Sequence, residues 1–197
     1  MLHVRELEFL DWGPLSFSVA AGECLGLSGD SGSGKSLLLR AVADLDPHGG
    51  EVSLAERSCS AMPASEWRRH VGMLPAESRW WFDTVRPHFP EQATVEFGEF
   101  GFEGGDVLEW EVRRLSVGER QRLALARLLA HGPEALLLDE PTANLDPRST
   151  ELVEGVVSRY REANSAPVVW VAHDATQLER VATRRLVLKN KRLEEVT

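Results

Sequence analysis

The residues Gly29-Asp30-Ser31-Gly32-Ser33-Gly34-Lys35-Ser36 fit the spacing G-x-x-x-x-G-K-[ST]. Glycines let a main chain wrap closely around phosphate and turn successive N–H groups inward. The lysine brings a point charge to the β- and γ-phosphates, and the serine hydroxyl can ligate Mg²⁺. Leu37 then continues into the first helical turn, whose N-terminus favours anions. The chemistry expected of residues 29–36 is therefore phosphate binding. A Gly/Ser-rich turn can match this spacing by accident, but here an apolar run at 24–27 precedes it and a helical pattern (Leu37, Leu38, Ala41, Val42) follows. A nucleoside monophosphate kinase would carry the same loop, although such a kinase usually opens with the strand before it.

Ala135-Leu136-Leu137-Leu138-Asp139-Glu140 narrows the choice. A buried strand ending in two adjacent carboxylates delivers them to the carboxyl edge of a sheet, beside the phosphate loop. Asp139 can support Mg²⁺, and Glu140 can polarise a water, a role that would waste ATP in a kinase. The bland alternative is a strand that merely ends in a polar turn. Leu115-Ser116-Val117-Gly118-Glu119-Arg120-Gln121-Arg122 opens a helix. Ser116 with Glu119 three residues on reads, in isolation, as a capping box with no function.

The positioning elements alternate. Val4, Leu7 and Phe9, and then Leu15, Phe17 and Val19, read as strands, with further strands at 24–27, 71–74, 135–138 and 168–172. Helices are expected after the loop, closed by 46–50, and at 117–131, 148–160 and 176–182, with edge strands at 186–188 and 193–196. Such alternation predicts a parallel sheet with helices on both faces. From 77 to 113 the periodicity fails among aromatics, prolines and glycines, and this stretch reads as an inserted subdomain with short helical pieces at most.

The chain has 197 residues, 31 acidic against 22 basic, and a net charge of −9. That balance argues against nucleic-acid binding through a basic face. No apolar run approaches the roughly 20 residues of a membrane-spanning helix, and no export signal is expected at the start. Two cysteines, Cys24 and Cys59, argue against a disulfide scaffold or a cysteine-based zinc site and for reduced thiols in a cytosolic protein.

Four motifs in order, 29–36, 115–122, Leu136-Leu137-Leu138-Asp139-Glu140-Pro141-Thr142-Ala143-Asn144-Leu145-Asp146 and Val169-Trp170-Val171-Ala172-His173-Asp174, resemble the ATP-binding-cassette (ABC) ATPases over nearly the whole chain. The resemblance implies an α/β P-loop NTPase fold: a RecA-like core with a mainly parallel sheet, an N-terminal antiparallel β subdomain and a short helical insert. It implies one domain over 1–197, with 1–75 and 114–197 as the core and 76–113 as a reduced insert. It further implies a head-to-tail dimer formed on ATP binding, with Gly29, Asp30, Ser31, Gly32, Ser33, Gly34, Lys35, Ser36 and Leu37 of one subunit on the nucleotide. Ser116 and Gly118 of the other subunit would contact the γ-phosphate. Ser36 and Asp139 would serve Mg²⁺, Glu140 would be the general base, His173 the γ-phosphate switch, and Asp146 part of the loop joining the half-sites.

Three departures stand out. The signature reads Leu-Ser-Val-Gly-Glu, with both phosphate-contacting positions kept. The family's metal-reaching glutamine is replaced by Ala76, and Glu77 is the candidate substitute ligand. The insert is short, and Trp80-Trp81-Phe82 lies where a transporter's coupling helix docks in this family; a reduced core is the alternative. Trp12, with Phe9 as its rival, is the expected adenine-stacking residue, because Gly13-Pro14 should leave it in a loop. The leading functional expectation is a cytoplasmic ATPase subunit, peripheral on the inner face of the cell membrane, driving a separate permease and binding no nucleic acid. A soluble ABC-type ATPase of DNA repair or translation, and a nucleotide switch with weak turnover, are the alternatives.

Overall fold

The computed structural model describes residues 1–92 and 94–196. Ten strands alternate with five helices: β1 (Leu2–Phe9), β2 (Trp12–Val19), β3 (Cys24–Ser28), α1 (Lys35–Val42), β4 (Gly49–Leu54), β5 (Arg57–Ser58), α2 (Ala64–His70), β6 (Val71–Leu74), α3 (Val117–Ala130), β7 (Ala135–Asp139), α4 (Pro147–Asn164), β8 (Val168–Val171), α5 (Ala175–Val181), β9 (Arg184–Lys189) and β10 (Arg192–Glu195). They form an antiparallel sheet β2-β1-β4-β5 and a six-stranded sheet β10-β9-β3-β8-β7-β6. Within the larger sheet β9, β3, β8, β7 and β6 run parallel, and only β10 is antiparallel.

The period of two along each parallel strand sorts its side chains onto two cores. Leu25 and Leu27, Ala135 and Leu137, and Val169 and Val171 face α1, Trp67 of α2 and the apolar side of the antiparallel sheet. Cys24, Leu136 and Leu138, and Val168 and Trp170 face the opposite core with Leu123 of α3, Val153 of α4 and Leu178 of α5. Both faces are covered, which is why these strands read as unbroken apolar runs.

Several expectations need correction. Helix α1 ends at Val42, because Asp44 adopts a left-handed φ of 52°, and Gly49 and Gly50 already belong to β4. Strand β9 is internal, paired with both β3 and β10, so of the two expected edge strands β10 alone lies at an edge, with β6 at the other. Helix α4 extends to Asn164 and starts earlier, at Pro147, whose fixed φ suits a first helical turn. Strands β4 and β5 and helix α2 were not expected at all. Between β6 and α3 the described chain holds 3-10 turns at Arg86–His88, Phe97–Phe100, Val107–Glu109 and Val112–Arg114.

Candidate nucleotide site

Parallel register puts the site at one sheet edge. Leu27 of β3 pairs with Val171 of β8, which pairs with Asp139 of β7. The phosphate loop leaving β3, His173 just past β8, and the Asp139-Glu140 step therefore emerge side by side.

The loop turns on glycines whose geometry other residues could not adopt. Gly34 caps α1 with φ +87°, and a Cβ there would lie 3.0 Å from the Trp12 ring; at Gly29, φ +144°, it would lie 2.5 Å from the Leu188 carbonyl oxygen. Lys35, the first residue of α1, is buried, and its Nζ donates to the carbonyls of Gly29 (2.8 Å) and Asp30 (2.9 Å). Burial pulls the Lys35 pKa down, opposed by the carboxylates of Glu140, Asp139 and Asp30. This ammonium is thus anchored over the loop rather than free in solvent.

Asp139 is 3% exposed. Burial raises its pKa, while the Ser36 hydroxyl beside it acts the other way. Its Oδ1 has no hydrogen-bond partner among the described residues. A serine hydroxyl and a carboxylate with an orphaned buried oxygen make a hard-oxygen donor set that fits Mg²⁺. Glu140 follows with a left-handed φ of 50°, and its Oε1 lies 2.9 Å from His173 Nε2. A non-glycine residue in that region is strained, and here the turn brings a carboxylate into pairing with an imidazole.

The signature segment is built as a helix N-terminus. Ser116 caps α3: Glu119 N–H donates to Ser116 Oγ (3.2 Å), while Ser116 N–H (2.8 Å) and Oγ–H (2.7 Å) donate to Glu119 Oε2. Those donors, the backbone N–H first, lower the Glu119 pKa. Ser116 is exposed, and Gly118 packs closely on Leu145, where a Cβ would lie 3.1 Å from Cδ2. Asp146 caps α4 through Ser149, accepting from its N–H (3.0 Å) and hydroxyl (2.6 Å).

Trp12 is not in a loop. It opens β2 and pairs with Phe9 across the Leu10-Asp11 turn. Its ring nevertheless lies against Gly34, and Lys191 Nζ is 5.5 Å from its centroid. Phe9, stacked on Trp12 at 6.3 Å, is buried in the core. Glu77 is exposed in the segment that leaves β6 at the level where Leu74 pairs with Leu138, and it forms no ion pair among the described residues.

Gln121 escaped the sequence reading. Buried on α3, it clamps that same segment, accepting from Ser78 Oγ (3.2 Å) and donating to the Pro75 carbonyl (3.5 Å). A polar residue on the apolar face of a helix was the available signal. The aromatic triplet divides its roles: Trp80 is half-buried under the Arg127 guanidinium (4.6 Å), whereas Trp81 is 66% and Phe82 47% exposed. Buried His88 holds the main chain beneath both, its Nε2 accepting from the backbone N–H groups of Trp81 (3.0 Å) and Phe82 (3.1 Å), and its ring meets theirs edge-on at 4.9 and 5.0 Å.

A family model described as ABC transporter matches residues 13–143. Protein STAR1 of Oryza sativa subsp. japonica is 35% identical over 187 residues, and the match takes in 85% of this chain and 52% of that protein. The chain thus spans about half the length of that relative. The cytochrome c biogenesis ATP-binding export protein CcmA of Xanthomonas axonopodis pv. citri (strain 306) is 36% identical over 191 residues, covering 90% of this chain and 86% of the relative. A bacterial Atm1-family ABC exporter, solved with ATP bound, superposes with a TM-score of 0.84 at 25% identity, over 98% of this chain and 38% of the exporter. Among the described residues no helix is long and apolar enough to cross a membrane. With the phosphate loop, the Asp139-Glu140 edge and the capped signature helix in this family's order, the chain belongs to the ATP-binding ABC transporter family and is a P-loop ATPase.

Proposed function

We propose that this chain binds Mg²⁺–ATP at residues 29–37 and hydrolyses it between two copies, driving a separate membrane permease from the cytoplasmic face. The observation that carries the reading is the Glu140–His173 pair, 2.9 Å apart, at the sheet edge where the phosphate loop begins. When bound, Mg²⁺ neutralises charge on the β- and γ-phosphates; Ser36 and Asp139 would hold it. Lys35, already seated over the loop, has only to turn from two carbonyls to phosphate oxygens. Glu140 accepts the proton of an attacking water, and His173 orients that carboxylate and senses the γ-phosphate. Trp12, against the loop glycine, stacks on adenine once Lys191 swings aside. Ser116 and Gly118 of a second copy close the site, using an exposed helix N-terminus as the anion cradle.

The exposed Trp81 and Phe82, rigid on His88, suit an apolar helix of the permease. A switch with slow turnover is the second reading, favoured by Ala76 in place of the metal-reaching glutamine. Phosphate release measured with and without Mg²⁺ tests the assignment. Turnover in the wild type that is lost in Glu140→Gln, with ATP binding retained, and loss of ATP binding in Lys35→Ala, are expected. Full turnover in Glu140→Gln would refute the general-base role.

A further inference from the structure

Away from the nucleotide site, three unlike ligating groups converge. Asp44 follows the C-terminal end of α1, His48 precedes β4, and buried Cys59 opens the 3-10 turn Cys59–Ala61 after β5. A carboxylate oxygen, a ring nitrogen and the Sγ all lie within 4.8 Å of one another, and His48 Nε2 is 3.7 Å from Asp44 Oδ1.

His48 Nδ1 is 3.3 Å from the Gly49 carbonyl, an acceptor for a hydrogen on that nitrogen, and Nε2 is the ring nitrogen that faces Asp44. Fixing the far ring nitrogen on a carbonyl is how metal-binding histidines are commonly oriented. Arg68 makes no ion pair with the carboxylate; its Nη1 donates instead to the Asp44 main-chain carbonyl (2.7 Å). Among the described residues no lysine or arginine lies within 4.0 Å of the Asp44 carboxylate oxygens. The Sγ of buried Cys59 forms the third corner, facing both groups.

We propose that Asp44, His48 and Cys59 bind a divalent cation of the zinc class. The mixed O/N/S set suits a borderline-soft ion and rejects Mg²⁺, which keeps it distinct from the nucleotide site. Tetrahedral zinc with ligands at about 2.0–2.3 Å separates them by roughly 3.3–3.7 Å, so the present spacing needs a contraction of about 1.5 Å at most. Asp44 and His48 retain side-chain exposures of 30% and 11%, a path for entry and room for water as fourth ligand. On binding, Cys59 releases its proton to solvent and becomes the thiolate ligand. No Cys-x-x-Cys spacing announces this site; the fold assembles it from two segments, the α1–β4 connection and the turn after β5. Its consequence is a clip between the far end of the phosphate-loop helix and the antiparallel sheet.

The test uses the whole chain, stripped with chelator, kept reduced and free of nucleotide, and titrated with Co²⁺. A thiolate-to-cobalt charge-transfer band is expected, bleached by Zn²⁺, kept in Cys24→Ser and absent in Cys59→Ser. His48→Gln, at a partly exposed position, covers the case in which Cys59→Ser fails to fold. It should keep the wild-type far-ultraviolet spectrum while weakening Co²⁺ binding at least about tenfold. No charge-transfer band in the wild type, a band surviving in folded Cys59→Ser, or unchanged affinity in His48→Gln would overturn the site.

Discussion

Glu119→Gln separates two roles that share the same atoms. In the free subunit Glu119 Oε2 accepts from both the N–H and the hydroxyl of Ser116, and these donors keep it ionised. The same carboxylate places negative charge at the helix N-terminus proposed to receive a γ-phosphate. Glutamine can still complete the capping box, so the substitution removes charge and little else. At roughly 5 Å in a largely hydrated site, one unit of like-charge repulsion is worth about 1 kcal/mol. Two half-sites per dimer then tighten ATP-dependent association by about 30-fold. The isolated subunit loses a carboxylate at the N-terminus of α3, about 0.5 kcal/mol, and its Tm falls by about 1–2 °C. Sedimentation of a Glu140→Gln background with saturating ATP, beside calorimetry of the free subunit, reads both numbers. Dimer affinity that is unchanged or weaker would refute the claim that phosphate meets this helix.

Other outcomes follow from the same geometry. Burial lowers the His88 pKa below its ordinary 6.5, so as pH falls through 6.5 the unfolded chain binds the proton first and stability is lost. Thermal melts between pH 7.5 and 5 should show this slope in the wild type and lose it in His88→Gln. Trp12→Ala should weaken ATP binding by about 1–2 kcal/mol, the worth of one stacked base, while Phe9→Ala, truncating a core ring, should cost about 3–5 kcal/mol of stability; fluorescent-nucleotide titration and denaturant melts tell them apart. Glu77→Ala should reduce Mg²⁺-dependent turnover with ATP binding kept; unchanged turnover would remove Glu77 as a ligand.

The parts legible in the sequence are those in which local chemistry and tertiary placement coincide. Buried on both faces, β3 and β7 show as apolar runs, and each leads directly into the residues it positions. The stretch 51–70 was silent for a physical reason. Only Val52 and Leu54 alternate inward along β4, and α2 has seven residues with Trp67 alone buried, too few turns for a period to emerge. Trp12 opens a strand and not a loop, and its approach to Gly34 depends on the two sheets meeting, which no local pattern encodes. Gln121 was hidden because its burial serves a loop distant in sequence. The signature segment shows why one motif sustained two readings: the capping box is formed, and its tip remains open to solvent.

The proposed enclosure of ATP between two copies of this chain is open to one decisive experiment: light scattering of Glu140→Gln at one protein concentration, with and without Mg²⁺–ATP. Twice the subunit mass is expected only with nucleotide, with reversion to one subunit when Ser116→Arg blocks the helix tip. A single-subunit mass in both conditions, with ATP shown to be bound, would contradict it.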